Sequence, residues 1–466
     1  MEFITVIGLE VHIELKTKSK CFCSCANSFG NEPNTNVCPG CLALPGTMSV
    51  LNKEALIGAI KAGLSVGSTI NDEAIFERKA YFYPDITKAY QISQILKPVC
   101  LEGGVQTKDG FVGLKQIHLE EDAGKLIHEG GYSLVDYNRA GVPLIEIVTK
   151  PDIRSKAQAI EFLTKLRQII IYSGAAECKM QEGGMRCDVN LSIMEKGAKE
   201  FGARVEMKNL NSFRSVERAI DYEEKRQKQV IMSGGKVAVE TRKWDDDLGE
   251  NFAMRLKETA FQTPEPDVLT VVISREMVEK IKSTLPLSPL VQKEKYINEY
   301  NLPEYDADIL TSDPKLTVLF NNTNEICKNP KAVSNFIMTS VMGKLKEQTD
   351  KEIKISTENL SELIGLIENK KITRMNGLEL FAEIWDKGGD VKKLISERNL
   401  TAGIDDNEII KIIDKLLLAN EKAVADYATN ADKVLPFFIG QVMKETKGKA
   451  NVETVADILK KKLGNK

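Results

Sequence analysis

Five of the nine cysteines lie between positions 21 and 41. Cys23-Ser24-Cys25 and Cys38-Pro39-Gly40-Cys41 form two pairs, and the Pro-Gly of the second bends the backbone so that both sulfurs can face one point. Four thiolates so paired suit a tetrahedral Zn²⁺ and would fill its coordination shell, which makes the expected role structural. Cys21 is a fifth thiol that either competes for a position or stands by. The bland alternatives are a group of small buried apolar residues or a redox pair at Cys38/Cys41.

A second group is acidic. In the N-terminal segment Ile7, Leu9, Val11, Ile13 and Leu15 alternate with Gly8, Glu10, His12 and Glu14. As a strand, this puts an apolar row on one face and two carboxylates flanking an imidazole on the other. Such a row can serve solubility alone. Four further segments argue otherwise: Gln116-Ile117-His118-Leu119-Glu120-Glu121-Asp122, Leu144-Ile145-Glu146-Ile147-Val148, Cys187-Asp188-Val189-Asn190 and Arg204-Val205-Glu206-Met207-Lys208. Glu146 stands alone among apolar neighbours and is costly to bury without a cation. Strands that each point one carboxylate to a common face would form an oxygen-rich basin suited to Mg²⁺ and to ATP phosphates. No P-loop, no G-x-G-x-x-G turn and no G-x-S-x-G elbow occurs, so any nucleotide would bind on a sheet.

Residues 78–94 interleave Tyr81, Phe82, Tyr83 and Tyr90 with Arg78, Lys79 and Lys88. This mixture can stack bases and hold phosphates, or it can be a core loop around Pro84.

The elements that position these residues are read from periodicity. Residues 1–290 show strand-like alternation broken by Gly pairs, with helical spacing at 52–64, 154–173 and 212–232, which predicts an α+β unit on a largely antiparallel sheet. After Pro286-Leu287-Ser288-Pro289 the spacing becomes helical: 331–346, 357–368, 373–387, 391–398, 407–418 and 433–446. Net charge is −3, so contact with nucleic acid would need a local patch, and residues 433–466 supply one with eight Lys against three acidic residues. An ordinary solvated basic end is the alternative. Apolar content of 42% and charged content of 28% fit a soluble chain; no apolar run reaches membrane length and Met1-Glu2-Phe3-Ile4 has no secretory character, so a cytoplasmic location is expected.

Read in order, these segments resemble the B-subunit family of the Glu-tRNA(Gln)/Asp-tRNA(Asn) amidotransferases. The stretches that carry the likeness include residues 6–12, 34–39, 79–85, 88–94, 118–125, 143–146, 186–190, 208–212 and 440–443, nearly the whole chain. The resemblance implies a cradle domain over 1–290, similar in fold to the catalytic domain of glutamine synthetase, with a zinc insert at 21–41. A helical domain at 291–405 and a small α tail at 406–466 that contacts tRNA would follow. It implies phosphorylation by ATP and Mg²⁺ of the carboxylate of tRNA-bound Glu or Asp, followed by amidation. The family's metal pattern falls on Glu10, His12, Glu121 and Glu146, and its zinc ligands on Cys23, Cys25, Cys38 and Cys41. Lys79, Lys88, Asp188, Glu206 and Lys208 are expected at the nucleotide; Tyr81, Tyr83, Lys444, Lys447 and Lys449 at the tRNA. No Ser-Ser-Lys amidase signature occurs. The implied partners in a heterotrimer are therefore a separate amidase, the A subunit, together with a small third chain, the C subunit. One stretch departs from the family pattern: only Met254-Arg255 and Pro264-Glu265-Pro266-Asp267 match around residues 256–263. A zinc-bearing RNA scaffold without catalysis and a ligase acting on a free amino acid are the competing readings.

Overall fold

The structure is a computed structural model that describes residues 2–254, 261–348, 352–398, 406–425, 427–446, 450 and 452–464. It divides into two compact units, Met1–Pro289 and Leu290–Lys466. The first is rich in sheet and the second is helical.

The first unit is built on a ten-stranded sheet. Its strands are β1 (Phe3–Glu14), β2 (Thr69–Ile70), β3 (Cys100–Leu101), β4 (Gly104–Thr107), β5 (Gly110–Glu121), β6 (Pro143–Thr149), β7 (Met185–Glu195), β8 (Val205–Leu210), β9 (Glu240–Asp245) and β10 (Glu250–Ala253). The order is β10-β9-β8-β7-β1-β6-β5-β3-β2, with β4 on β5. Neighbours run antiparallel except β8 and β9. That parallel pair needs a crossover, and α3 (Phe213–Met232) supplies it. The first strand of the chain therefore sits mid-sheet, between β6 and β7, where its two faces see different surroundings. Val11 and Ile13 are wholly buried while Glu10, His12 and Glu14 stay partly open.

Helices α1 (Lys53–Ser65) and α2 (Lys156–Ser173) pack with α3 in a row against the sheet. Each begins at a polar cap: Asn52, Ser155 and Ser212 accept from the amides of Glu54, Gln158 and Ser215. Gly174, left-handed at φ 71°, stops α2. Gly63 marks where α1 meets β2 and β3, since a Cβ there would stand 2.3 Å from Cys100 Sγ and 3.2 Å from Ile70 Cδ1. We expect Gly63→Ala to destabilise this unit by about 1–3 kcal/mol through overpacking, seen as a lower denaturation midpoint. An unchanged midpoint would mean that the wall yields.

A three-stranded sheet sits apart, with Glu77–Ala80 between Tyr90–Ser93 and Gln262–Pro264. Arg78 forks onto Glu265 at 2.9 and 3.1 Å, which ties the Pro264-Glu265-Pro266-Asp267 segment to it. Of the departing stretch 256–263, residues 256–260 lie outside the described residues.

The second unit holds two apolar clusters, one around Tyr296, Phe320, Phe381 and Trp385 and one around Ile413, Phe438, Val442 and Leu459. Helices Pro314–Cys327 and Pro330–Phe336 each begin with proline at the first turn behind an Asp313 or Asn329 cap. Residues 331–346, expected as one helix, contain a π turn at Ile337–Val341. Among the described residues, no helix is long and apolar enough to cross a membrane.

Candidate active site and metal centre

Register decides which side chains meet. His12 lies opposite Glu146 on β6 and Arg186 on β7, and Glu146 in turn lies opposite His118 on β5. Glu10 faces Asp188, and Asn190 faces Glu206 on β8. Side chains alternate with a period of two, so these residues share one face. All of them except His118 and Asn190 line a cavity of about 620 Å³ with Glu120, Glu121, Asp122, Lys79, Lys88, Lys208, Tyr81 and Tyr83.

Two ligand sets stand out on this face: His12, Glu120 and Glu146, and Glu10, Asp188 and Glu206, each with its ligand atoms within 4.8 Å of one another. Ser93 Oγ donates to Glu120 at 3.0 Å, Asn190 Nδ2 to Glu10 at 2.9 Å and Thr241 Oγ1 to Glu206 at 2.8 Å. His118 Nε2 approaches Glu146 to 2.8 Å and His12 Nδ1 approaches Glu120 to 3.5 Å. His12 Nδ1 and Asn190 Oδ1 are nevertheless buried without a hydrogen-bond partner among the described residues. Asn190 Oδ1 is an acceptor left open beside Glu10, and clustered carboxylates of this kind are what a hard divalent cation would satisfy, so both sets fit Mg²⁺.

The electrostatics point the same way. Burial, then Glu146 and Glu206, raises the Glu10 carboxyl, as expected of an acid short of positive charge. Burial would raise Glu146 too, but His118, His12 and Lys79 outweigh it and hold that carboxyl well below its usual range. Burial pulls His12 and His118 down; their acidic neighbours, Glu120 and Glu146 chief among them, reverse this and leave both raised. Lys79 and Lys208 are likewise raised despite burial, through Glu120 and Asp188 respectively, and stay charged.

The acidic triplet expected as one group has three separate fates. Glu120 shares the face of His118 and joins the His12 and Glu146 set. Glu121, one residue on, points away from it and takes Lys88 Nζ at 2.6 Å on both oxygens. Asp122 is clamped by Arg186 at 2.5 Å and Arg139 at 3.6 Å. Of the expected set, then, the structure brings His12 and Glu146 together, puts Glu10 with Asp188 and Glu206, and leaves Glu121 in the same cavity holding Lys88. His118, Glu120, Asn190 and Thr241 went unnoticed in the sequence as site residues. Only the first two carried a signal, the parity shared by 116, 118 and 120.

Lys208 owes its aim to a bulge. Asn209 beside it is left-handed at φ 69°, its Nδ2 donates to the Trp244 carbonyl at 2.9 Å, and the β7–β8 register slips opposite, between Cys187 and Val189. This turns Lys208 onto Asp188 and to 2.8 Å from Glu206. Asn209→Ala should destabilise more than Asn209→Gly, by about 1 kcal/mol, because only glycine adopts this φ freely. Equal melting temperatures would show the bulge to be unstrained.

The four cysteines of the insert also converge. Their sulfurs lie within 4.8 Å of one another, with Cys25 Sγ and Cys41 Sγ at 3.9 Å. Tetrahedral Zn²⁺ with sulfur at about 2.3 Å demands edges of about 3.8 Å, so the set fits zinc. The Cys38 amide donates to Cys41 Sγ at 3.1 Å, and Lys20, wholly buried, places Nζ 3.7 Å from the same sulfur. A hydrogen bond from Cys23 leads the causes that draw the Cys41 thiol down to about 4, with Lys20 contributing. Cys21 is buried outside the cluster.

Tyr81 and Tyr83 line the large cavity, Tyr83 with half its surface open, and Lys79 lies 5.3 Å from the Tyr81 ring. Lys444 is exposed near the end of helix Tyr427–Glu445; Lys447 and Lys449 lie outside the described residues.

Known proteins match this chain over nearly its whole length. Residues 5–279 match the GatB/GatE catalytic domain and residues 318–463 the GatB domain. The chain is 48% identical over 478 residues to the B subunit of the aspartyl/glutamyl-tRNA(Asn/Gln) amidotransferase of Caldicellulosiruptor saccharolyticus, covering 99% of each. It is 46% identical over 474 residues to the protein of that name from Thermoanaerobacter pseudethanolicus, covering 99% of this chain and 100% of that one. The corresponding protein of Persephonella marina is 44% identical over 476 residues, again across 99% and 100%. With two domain matches and full-length relatives of one name, the chain belongs to the B-subunit family of the aspartyl/glutamyl-tRNA(Asn/Gln) amidotransferases.

Proposed function

We propose that the large cavity activates the side-chain carboxylate of Glu on mischarged tRNA(Gln), of Asp on mischarged tRNA(Asn), or of both. A carboxylate is a poor electrophile and an acyl phosphate a good one. A carboxylate oxygen attacks the γ-phosphorus of ATP, the bond to the β-phosphate oxygen breaks, and ADP leaves. Ammonia then attacks the acyl carbon, inorganic phosphate departs, and a proton is lost to give the amide. The ammonia comes from glutamine hydrolysed on a partner amidase, the A subunit, and a small third chain, the C subunit, makes the complex a heterotrimer. On this reading the enzyme is a carbon–nitrogen ligase of translation that works in the cytoplasm.

The observation that carries the proposal is the row of His12, Glu120, Glu146, Glu10, Asp188 and Glu206 on one wall of a cavity that also holds Lys79, Lys88 and Lys208. The two acidic sets would hold Mg²⁺, which when bound offsets the charge that builds on phosphate oxygens during transfer. Lys79 and Lys208 remain charged in this setting and suit phosphate contact; Lys88, held by Glu121, suits contact with the substrate carboxylate or the departing phosphate. Tyr81 and Tyr83 offer rings to the terminal bases of the tRNA. The cysteine cluster takes Zn²⁺ in a structural role. The sheet unit then serves as a cradle of the glutamine synthetase kind, residues 291–405 as a helical domain, and residues 406–466, with Lys444, as a tail for tRNA phosphates.

The test is ATP hydrolysis by the assembled complex. It should rise on adding Glu-tRNA(Gln) or Asp-tRNA(Asn) and should not respond to free glutamate or aspartate. Hydrolysis indifferent to charged tRNA would overturn the proposal.

A further inference from the structure

Cys41 belongs to two sites at once. Its sulfur is part of the cysteine cluster, and it also lines the 620 Å³ cavity. The link runs through its carbonyl, which accepts a hydrogen bond from Thr87 Oγ1 at 2.8 Å. Thr87 immediately precedes Lys88, the lysine clasped by Glu121.

This turn needs holding. Ala89, next in the chain, is left-handed at φ 58°, a conformation that L-residues other than Gly, Asn and Asp seldom adopt. Packing holds the turn only in part, because it has space on two sides, although Lys88 lies 5.3 Å from the Phe22 ring. A second cavity of about 260 Å³ shares Cys41, Lys88, Tyr90, Glu121 and Gly141 with the first. A wall with open volume on both faces lacks the interlocking neighbours that immobilise a core side chain. Ile86 N to the Tyr83 carbonyl at 3.0 Å and Ala89 N to the Ile86 carbonyl at 3.1 Å close the turn on itself, and three directed bonds tie it outward: Tyr137 Oη to the Pro84 carbonyl at 2.8 Å, Gly124 N to the Asp85 carbonyl at 2.8 Å, and Thr87 to Cys41.

The far end of the third bond is itself anchored. Cys21 N donates to the Gly141 carbonyl at 2.7 Å, and buried Lys20 bridges Cys41 Sγ and the Tyr137 carbonyl at 3.7 and 3.3 Å. The position of the Cys41 carbonyl is thus set by the assembled cluster.

We propose that Thr87 is a positioning residue that makes the placement of Lys88 depend on an intact metal-bearing cysteine cluster. A soft divalent cation such as Zn²⁺ on Cys23, Cys25, Cys38 and Cys41 fixes the Cys41 carbonyl, Thr87 reads that position, and Lys88 stays on Glu121. Loss of the cation frees Lys88 while the sheet remains folded. That Lys88 then matters to turnover rests on the function proposed above; the coupling itself does not.

The experiment uses the assembled complex and pulse acetylation of lysines read by mass spectrometry, beside metal content and steady-state kinetics. Thr87→Val removes the hydroxyl at nearly constant shape, and Thr87→Ser keeps it. Thr87→Val should retain its metal yet acetylate Lys88 about three to ten times faster, the worth of one neutral hydrogen bond. Thr87→Ser should match the wild type. Stripping zinc from the wild type with a chelator should raise Lys88 labelling to the Thr87→Val level, and stripping it from Thr87→Val should add nothing. Labelling at the wild-type rate in Thr87→Val overturns the coupling, as does an equal rise on stripping in both proteins. Faster labelling with unchanged kcat upholds the coupling and removes Lys88 from the proposed chemistry.

Discussion

Glu146→Gln is expected to lower charged-tRNA-dependent ATP turnover by about 100-fold or more, while the partner's glutaminase activity survives. Glu146 is 8% exposed, amid the apolar run of β6, and it faces both His118 and His12. The amide keeps the shape and removes the charge. It leaves two imidazoles and Glu120 around a site that has lost an anionic ligand, and a single well-placed electrostatic group at a phosphoryl-transfer site is worth about 10²–10³ in rate. Stability should fall as well, because removing one member of a buried ion pair costs about 3–5 kcal/mol. The pH dependence has a definite sign. The Glu146 carboxyl is held below its ordinary value of 4.5, so its contribution is complete above 4.5 and fades as pH falls through the depressed value. The His118 imidazole is raised above 6.5, so its contribution is complete below 6.5 and fades as pH rises through the raised value. Thermal melts of the two proteins should therefore differ most between these limits. Wild-type turnover in Glu146→Gln would remove the acidic row from the chemistry.

The second large effect concerns the insert. Wild-type protein should carry about one zinc per chain, and Cys41→Ser none, since a hydroxyl is a poor ligand for this ion. The same change strands Lys20. Its ammonium has no exposed surface and sits 3.7 Å from Cys41 Sγ. A buried cation deprived of its anionic partner costs about 3–5 kcal/mol, so Cys41→Ser should lower the denaturation midpoint sharply. Adding Lys20→Met should recover part of that loss without recovering metal. If Cys41→Ser kept both its metal and its midpoint, the thiolate and the ammonium would not form the pair described here.

What the sequence disclosed followed from how local each signal was. The alternation of Glu10 and His12 with Val11 and Ile13 is internal to one strand, and it gave the correct face. The cysteine spacing is equally local. Glu120 and Glu121 form a doublet whose parity means nothing until β5 pairs with β6, where Glu120 lies opposite Leu144 and Glu121 opposite Pro143. The family likeness implied a metal role for Glu121, the second acid of the pair; the register puts the first, Glu120, on the face of His118 and Glu146. Asn190, Thr241 and Ser93 are ordinary polar residues made relevant by partners far along the chain. Lys20 gave no hint of burial. Pro289 read as a domain boundary, and the two units do divide there, but it also begins a helix, where a missing amide hydrogen costs nothing.

The mid-sheet position of β1 has a consequence for biogenesis. This strand leaves the ribosome well before both of its flanking strands, which begin at Pro143 and Met185. At about 5–20 residues per second, roughly 10–40 seconds of synthesis separate β1 from its second neighbour. Until β6 follows, both hydrogen-bonding edges of this apolar strand lack their partners, and until β7 follows one still does, so the segment that carries Glu10 and His12 is open to wrong pairing for longer than any other strand of the sheet.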